Sequence, residues 1–239
     1  MKISTWNLER PTKNGKKTPP ILECLKAINA DILILTETND FIDLGAEYTS
    51  YHTEIFPGEW HKEGDRQVSI FSKFPIINRL PTFRSDTSIC ITVDSSFGEV
   101  TIYGTVIGNF GNRGDQFQTD LDAQIADWKK IGAENNLIIA GDLNISFSDN
   151  TYFTRGGREK LLAVFKELKM RNMTGQISQN IDHIIMTEAF IQNKKAKIEF
   201  WNDTENITTR LSDHKGVYVE LWARFKVISA LTNQNNQNC

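Results

Sequence analysis

Eight short runs of apolar and β-branched residues punctuate the chain, at Lys2–Trp6, Ile32–Thr36, Val68–Ser72, Ile89–Val93, Val100–Ile107, Leu137–Gly141, Ile181–Thr187 and Val217–Trp222. Their length and composition predict strands, most with little alternation and hence buried on both faces. Between some of them the apolar period lengthens to that of a helix. Pro19-Pro20 precedes Ile21, Leu25 and Ile28, Thr119 precedes Leu121, Ile125 and Trp128, and Leu161, Phe165 and Leu168 mark a third amphipathic stretch. Strict strand–helix alternation is absent. Between residues 68 and 107 the connectors are turn-like, as in Ser95-Ser96-Phe97-Gly98, and suit antiparallel hairpins. A mixed α/β sandwich is the expected architecture.

No repeat or long linker divides the pattern, so one domain is expected over residues 1–228. The end of the chain, Asn-Gln-Asn-Asn-Gln-Asn-Cys239, has too little apolar surface to order itself, and residues 229–239 are expected to form a disordered polar tail. With 239 residues, 39% of them hydrophobic, the chain can bury a sizeable core. Its 27 Lys+Arg against 30 Asp+Glu, a net charge of -3, exclude a protein that coats nucleic acid through a general basic excess, though not one with a locally basic site. Cys24, Cys90 and Cys239 lie too far apart in sequence for a disulfide framework or a cysteine zinc site. No apolar stretch approaches the roughly 20 residues of a membrane span, and MKISTWNLER lacks the apolar run of a secretory signal. A cytoplasmic protein, monomeric and without a membrane span, is expected.

The candidate chemistry appears where strands run into polar residues. Asn7 follows the first strand, Glu37 the second, and Asp142 with Asn144 the sixth. A buried carboxylate is costly unless paired, hydrogen-bonded or bound to metal, and several at strand ends call for a common explanation. Oxygen donors without thiolates specify a hard cation, so Mg²⁺ or Mn²⁺ is the expected cofactor. Two later segments, Asn180-Ile181-Asp182-His183 and Ser212-Asp213-His214, each combine Asp with His. Within a strand neighbouring side chains point to opposite faces, so Asp182 and His183 do not serve one substrate together.

In order, Trp6-Asn7-Leu8-Glu9, Leu35-Thr36-Glu37, Gly141-Asp142-Leu143-Asn144, Ile181-Asp182-His183-Ile184 and Ser212-Asp213-His214 form a pattern that resembles the endonuclease/exonuclease/phosphatase superfamily, over residues 2–222. The resemblance implies a four-layer α/β sandwich, two mixed and mainly antiparallel sheets flanked by helices, that hydrolyses phosphoesters with a divalent metal. It also implies roles. Glu37 is the principal metal ligand, joined by Asn7, Asp213 and Glu9; Asp142 orients or deprotonates the attacking water; Asn144 donates a hydrogen bond to a phosphoryl oxygen. His214 contacts the phosphate and Asp182 orients its imidazole.

One feature departs from the resemblance. Members commonly carry a His or Tyr where Tyr103–Asn109 ends, and this chain aligns Val106 there, leaving Asn109 and Arg113 as candidate substrate contacts. The expected substrate is a phosphate ester, with DNA or RNA favoured by the basic groups of Lys13–Lys17 and Arg155–Arg158 and by Tyr152 and Phe153 beside them. A small-molecule or lipid-headgroup phosphatase or phosphodiesterase is the alternative, and a catalytically degenerate binding domain a third.

Overall fold

The computed structural model describes residues 1–55, 61–108, 113–132, 136–202, 208 and 210–224; the tail at 229–239 lies outside them. In chain order the elements are β1 (Lys2–Asn7), α1 (Thr18–Ile28), β2 (Ile32–Asn39), β3 (Thr49–His52), β4 (Asp65–Ser72), β5 (Ile76–Leu80), β6 (Ser88–Ser95), β7 (Gly98–Val106), α2 (Gly114–Gly132), β8 (Leu137–Asp142), α3 (Arg155–Glu167), β9 (Met170–Asn172), β10 (Asp182–Thr187), α4 (Glu188–Ile191), β11 (Lys194–Trp201) and β12 (Gly216–Ala223).

These strands make two sheets of six, in the orders β11-β12-β1-β2-β4-β3 and β5-β6-β7-β8-β10-β9. Only β1–β2 and β7–β8 pair in parallel, each across a helical connection, whereas the other neighbours are antiparallel. The sheets stack face to face through Ile3, Ile34, Val68, Ile70, Ile102, Ile138, Ile184 and Val219. Gly104 allows the close approach, because a Cβ there would lie 2.9 Å from a methyl of Val68 on the facing sheet. The outer face of the first sheet is covered by Ile21 and Leu25 of α1, packed on Leu33 and Leu35. The outer face of the second is covered by Leu121 and Trp128 of α2 and by Leu161 and Phe165 of α3. The result is the expected four-layer sandwich. Interior strands buried on both faces explain the continuous apolar runs in the sequence.

Parallel pairing aligns strand ends. Asn7 sits beside Thr36 in the β1–β2 register, Val106 beside Asp142 in β7–β8, and Asp182 directly across from Asp142 in the antiparallel β8–β10 pair. The polar residues that follow the apolar runs therefore collect at one end of both sheets.

Candidate active site

The core of this end is a carboxylate pair and an imidazole. Asp142 and Asp182 are buried and His214 is nearly so, and ligand atoms of the three lie within 4.8 Å of one another. His214 Nδ1 is 2.6 Å from Asp182 Oδ2. Asp182 Oδ1 is buried without a hydrogen-bond partner. Burial alone would lower the pKa of His214, but the adjoining carboxylates of Asp182 and then Asp142 prevail and raise it to about 10. For Asp142, burial raises the carboxyl; the imidazolium counters this, Asp182 adds to it, and the outcome is about 7. The cluster thus pairs a cationic imidazole with a carboxyl poised to exchange a proton near neutrality.

Backbone geometry fixes these groups. Gly141 adopts φ +140°, and a Cβ there would meet the Thr105 carbonyl oxygen at 1.9 Å, so only glycine lets β8 run beside β7 into Asp142. Asp142 Oδ1 accepts from the Asn144 backbone N–H at 2.8 Å, and Oδ2 accepts from Asn7 Nδ2 at 3.2 Å. Asn144, in the left-handed region at φ +52°, donates its side-chain amide to the Ile107 carbonyl at 2.8 Å. The hydrogen bond between Asn7 and Asp142 joins the two sheets across the site.

His214 is placed by a network that sequence reading did not anticipate. Ser212 Oγ donates to the Asn7 carbonyl at 2.7 Å and accepts the His214 N–H, while Trp6 Nε1 and Asn202 Nδ2 donate to the His214 carbonyl. The adjacency of Ser212 to Asp213-His214 was its only sequence signal, and Asn202 had none. A cleft opens over the cluster, lined among others by Asn144, Tyr152, Gln179, Asp213, His214 and Lys215.

The remaining candidates are distributed unevenly. Glu37, at φ +42°, is close enough to Asp142 to raise it further, and its Oε2 is 2.6 Å from Arg10 Nη1. Arg10, another residue missed in the sequence, could have been suspected from its place just after Asn7–Glu9. Glu9 faces Lys17 at 3.2 Å, and its backbone N–H donates to Asn7 Oδ1. Asp213 is half-exposed, 3.9 Å from His214 Nε2. Val106 is buried between the sheets, so its side chain does not face the cleft. Arg113 is exposed just before α2, and no contact with the cluster is found for it among the described residues; Asn109 lies outside them. His183, as its strand parity predicted, points away, with Nε2 2.9 Å from the Ile145 carbonyl and its ring against Phe147. Of the basic groups, Lys17 is paired with Glu9, Arg155 with Glu159, and Arg158 covers the Phe153 ring, leaving Tyr152 as the aromatic at the cleft.

The donor set fits a hard divalent cation. Asn7, Glu37, Asp142, Asp182 and Asp213 offer oxygen only, and the Cys90 thiol is buried in the core under α2, where burial pushes it up to about 12. Asp142, Asp182 and His214 are close enough to hold an ion together. Glu37 already attracts a positive group, Arg10.

Residues 4–214 match the endonuclease/exonuclease/phosphatase family. The chain belongs to that family. No curated protein matches it by sequence. Among solved structures similar to this family member are the endonuclease domain of TRAS1, a telomere-specific non-LTR retrotransposon (15% identity, 94% of this chain and 99% of that one, TM-score 0.66), and a variant of the 3' phosphatase NExo from Neisseria bound to a product DNA hairpin (16%, 93% and 99%, 0.69). An AP endonuclease from Archaeoglobus fulgidus is a third (14%, 92% and 98%, 0.67). At such identities the likeness is one of fold, and it extends over nearly the whole length of each structure. Among the described residues of this family member no helix is long and apolar enough to cross a membrane.

Proposed function

We propose that this protein is a divalent-metal-dependent phosphoesterase that cleaves nucleic acid, DNA foremost, by attack of an activated water on phosphorus. The observation that carries the reading is the convergence of Asp142, Asp182 and His214 from strand ends of both sheets, locked to Asn7 and Asn144. Phosphoester hydrolysis needs a positioned water, neutralised phosphate charge and a stabilised leaving oxygen. Asp142, with its carboxyl near 7, accepts the proton of the attacking water. His214, held cationic by Asp182, directs Nε2 at a phosphoryl oxygen, and one N–H of the Asn144 amide stays available after its bond to Ile107. Because His214 Nδ1 is engaged by Asp182, this triad is better suited to handling protons than to ligating an ion through that nitrogen. Glu37 would hold Mg²⁺ or Mn²⁺, with Asn7, Asp213 and Glu9 in support, although Glu9 is turned toward Lys17. The cation would supply charge neutralisation and stabilise the leaving oxygen. Arg10 holds Glu37 through Oε2, so the guanidinium and the cation would share and compete for one carboxylate.

DNA is favoured because the similar structures named above include two endonucleases and a phosphatase bound to a DNA product. The test is a panel of single- and double-stranded DNA, RNA, nucleotides, inositol phosphates and lipid phosphodiesters with Mg²⁺ and Mn²⁺, using Asp142→Asn and Glu37→Ala as controls. Cleavage of DNA, abolished by EDTA and by both substitutions, is expected. Turnover confined to inositol or lipid esters would transfer the reading to a headgroup enzyme, and activity indifferent to EDTA would remove the metal.

A further inference from the structure

Two hydrogen bonds that cross between the sheets at the catalytic end belong to the site itself, Asn7 with Asp142 and His214 with Asp182. A third does not. Lys215, the residue after His214, reaches from just before β12 to the segment that precedes β10, where its Nζ donates to the Ser178 carbonyl at 3.1 Å. The same Nζ lies 5.2 Å from the centre of the Phe200 ring, and Phe200 stands across from Val217, which faces the second sheet, so the lysine runs between the sheets. Lys215 is only 6% exposed. A buried ammonium ordinarily faces a carboxylate, yet among the described residues Lys215 makes no ion pair. Its neighbours Asp182 and Asp213 are directed at His214.

The anion stands at the far end of the peptide that Lys215 holds. The Ser178 carbonyl and the Gln179 N–H belong to one trans peptide unit and point in opposite directions. Gln179 N–H donates to Asp149 Oδ2 at 2.6 Å. A cation therefore sits at the oxygen and an anion at the hydrogen of a single peptide dipole, the orientation in which each charge strengthens the other's hydrogen bond. Asp149 is itself fixed, because its Oδ1 accepts the Thr151 N–H at 2.9 Å and Arg158 donates to its carbonyl. Burial would raise the Asp149 carboxyl, but the N–H groups of Gln179 and Thr151 prevail and hold it well below the usual carboxylate range. Gln179 is kept at φ +50°, a conformation that a residue with a side chain retains only where its surroundings impose it.

We propose that Lys215 and Asp149 are a pair of positioning residues that clamp the Ser178–Gln179 peptide between them and so fix the seat of His214 against Asp142 and Asp182. The β8–β10 ladder already sets the two aspartates opposite each other. His214 comes from the other sheet, and the clamp braces the residue next to it. Lys215, Gln179 and Thr151 all border the cleft, so the braced peptide is part of its wall. A displacement of about 1 Å at a catalytic group costs roughly 10²-fold in rate, so a brace beside His214 acts on turnover rather than on substrate affinity. This deepens the phosphoesterase reading of the cleft and rests on it.

The test uses the full chain with Lys215→Met, Asp149→Asn and the double variant, each checked by thermal melting. Asp149 is partly exposed, and Ser148 Oγ ties the same two loops through the Ile177 carbonyl at 2.9 Å, so Asp149→Asn carries the test by itself should Lys215→Met fail to fold. Hydrogen exchange at the Gln179 amide, followed by NMR in metal-free protein, reports the clamp without substrate. Asp149→Asn should speed it, and Lys215→Met should speed it by about tenfold although Lys215 does not touch that amide. Steady-state kinetics on whichever ester the panel identifies reports the consequence. Each single variant should lower kcat by about tenfold or more and leave KM within about twofold of the wild type. The double variant should be no slower than the slower single, because both residues act on one peptide. A raised KM with kcat intact in Lys215→Met would make that lysine a substrate contact and overturn the proposal. Losses that multiply in the double variant, or a Gln179 exchange rate unmoved by Lys215→Met, overturn it too. If the wild type hydrolyses no ester of the panel but exchange responds as expected, the reading of the cleft falls and the clamp stands; an active wild type matched in kcat by both single variants leaves the cleft's reading intact and removes the clamp.

Discussion

Replacing Asp182 by Asn leaves the size and shape of the side chain nearly intact and removes the charge next to His214. In the wild type, burial opposes the imidazolium and yet its pKa reaches about 10 from an ordinary 6.5, with Asp182 the first contributor to the rise and Asp142 the second. The net elevation is therefore roughly 3.5, and loss of the larger contributor should remove more than half of it, about 2 or more, equivalent to about 3 kcal/mol in favour of the neutral ring. His214 is only 13% exposed at its side chain, so solvent screening does not erase this effect. The sign for folding follows. A raised imidazole stabilises the fold fully below its unfolded value of 6.5 and loses that contribution as pH rises toward 10. Wild-type stability should therefore decline across pH 7–10, and Asp182→Asn should be less stable near neutrality with a flatter profile. The direct assay is the titration of the imidazole ¹⁵N resonances in metal-free, EDTA-treated protein, with His214 assigned by its own substitution; urea unfolding at several pH values supplies the second arm. A His214 pKa that stays near 10 in Asp182→Asn would refute the assignment of Asp182 as the residue that holds the ring charged.

Gly141→Ala should lower stability by about 3 kcal/mol or more, the combined effect of a glycine-only φ and overlap with the Thr105 carbonyl, and the melting temperature should drop by roughly 6–12 °C; an unchanged melt would contradict the close backbone approach. Burial lowers His183 to about 4, so between pH 6.5 and 4 the unfolded chain takes up a proton that the native one refuses and stability falls with acidification, by up to about 3 kcal/mol. Asp142, raised from 3.8 to about 7, acts in the opposite sense over the whole of that window, so the quantity to compare is the difference between wild type and His183→Gln in acid unfolding, and equal pH slopes would count against the buried neutral imidazole. Asp142→Asn should reduce kcat by about 10²–10⁴, measured on whichever ester the panel identifies, and should lower the melting temperature by a few degrees, because its amide nitrogen must face the donor of Asn144 or of Asn7. Arg10→Gln should tighten Mn²⁺ binding in calorimetry, because the cation no longer competes with the guanidinium for Glu37; weaker binding would show that Arg10 assists rather than competes.

The eight strand runs legible in the sequence correspond to β1, β2, β4, β6, β7, β8, β10 and β12, the interior strands of both sheets. The four that escaped notice, β3, β5, β9 and β11, are the four edges. The reason is physical. An interior strand is covered on both faces over most of its length and so carries a continuous apolar run, whereas β11, reading KKAKIEFW, is exposed over most of its length, and β9 has three residues. The same logic governs the site. Asn7, Asp142, Asn144, Asp182 and His214 stood out because polar residues interrupt or follow buried runs at places where burial is costly. Arg10, Ser212 and Asn202 act through backbone carbonyls or through a partner distant in sequence; Arg10 and Ser212 are marked only by their place beside a motif, and nothing local marks Asn202. The pairing of Lys215 with Asp149 was still less visible, since the two meet only through the peptide between Ser178 and Gln179.

The route of the chain between the sheets has a consequence for how this protein can be taken apart. Everything in the second sheet lies between Ile76 and Thr187, one continuous stretch inserted into a first sheet built from the two ends of the chain. Those ends meet where β1 pairs with β12 and the Met1 amino group donates to the Leu221 carbonyl at 2.8 Å. Asp142 and Asp182 travel with the insert, Asn7, Glu37 and His214 with the ends. Neither portion carries a complete catalytic set, so hydrolysis should appear only on reassembly. A single cut at Lys73–Pro75 leaves Asn7 and Glu37 on one fragment and Asp142, Asp182 and His214 on the other, so that connection is a natural place to divide the protein into complementing fragments.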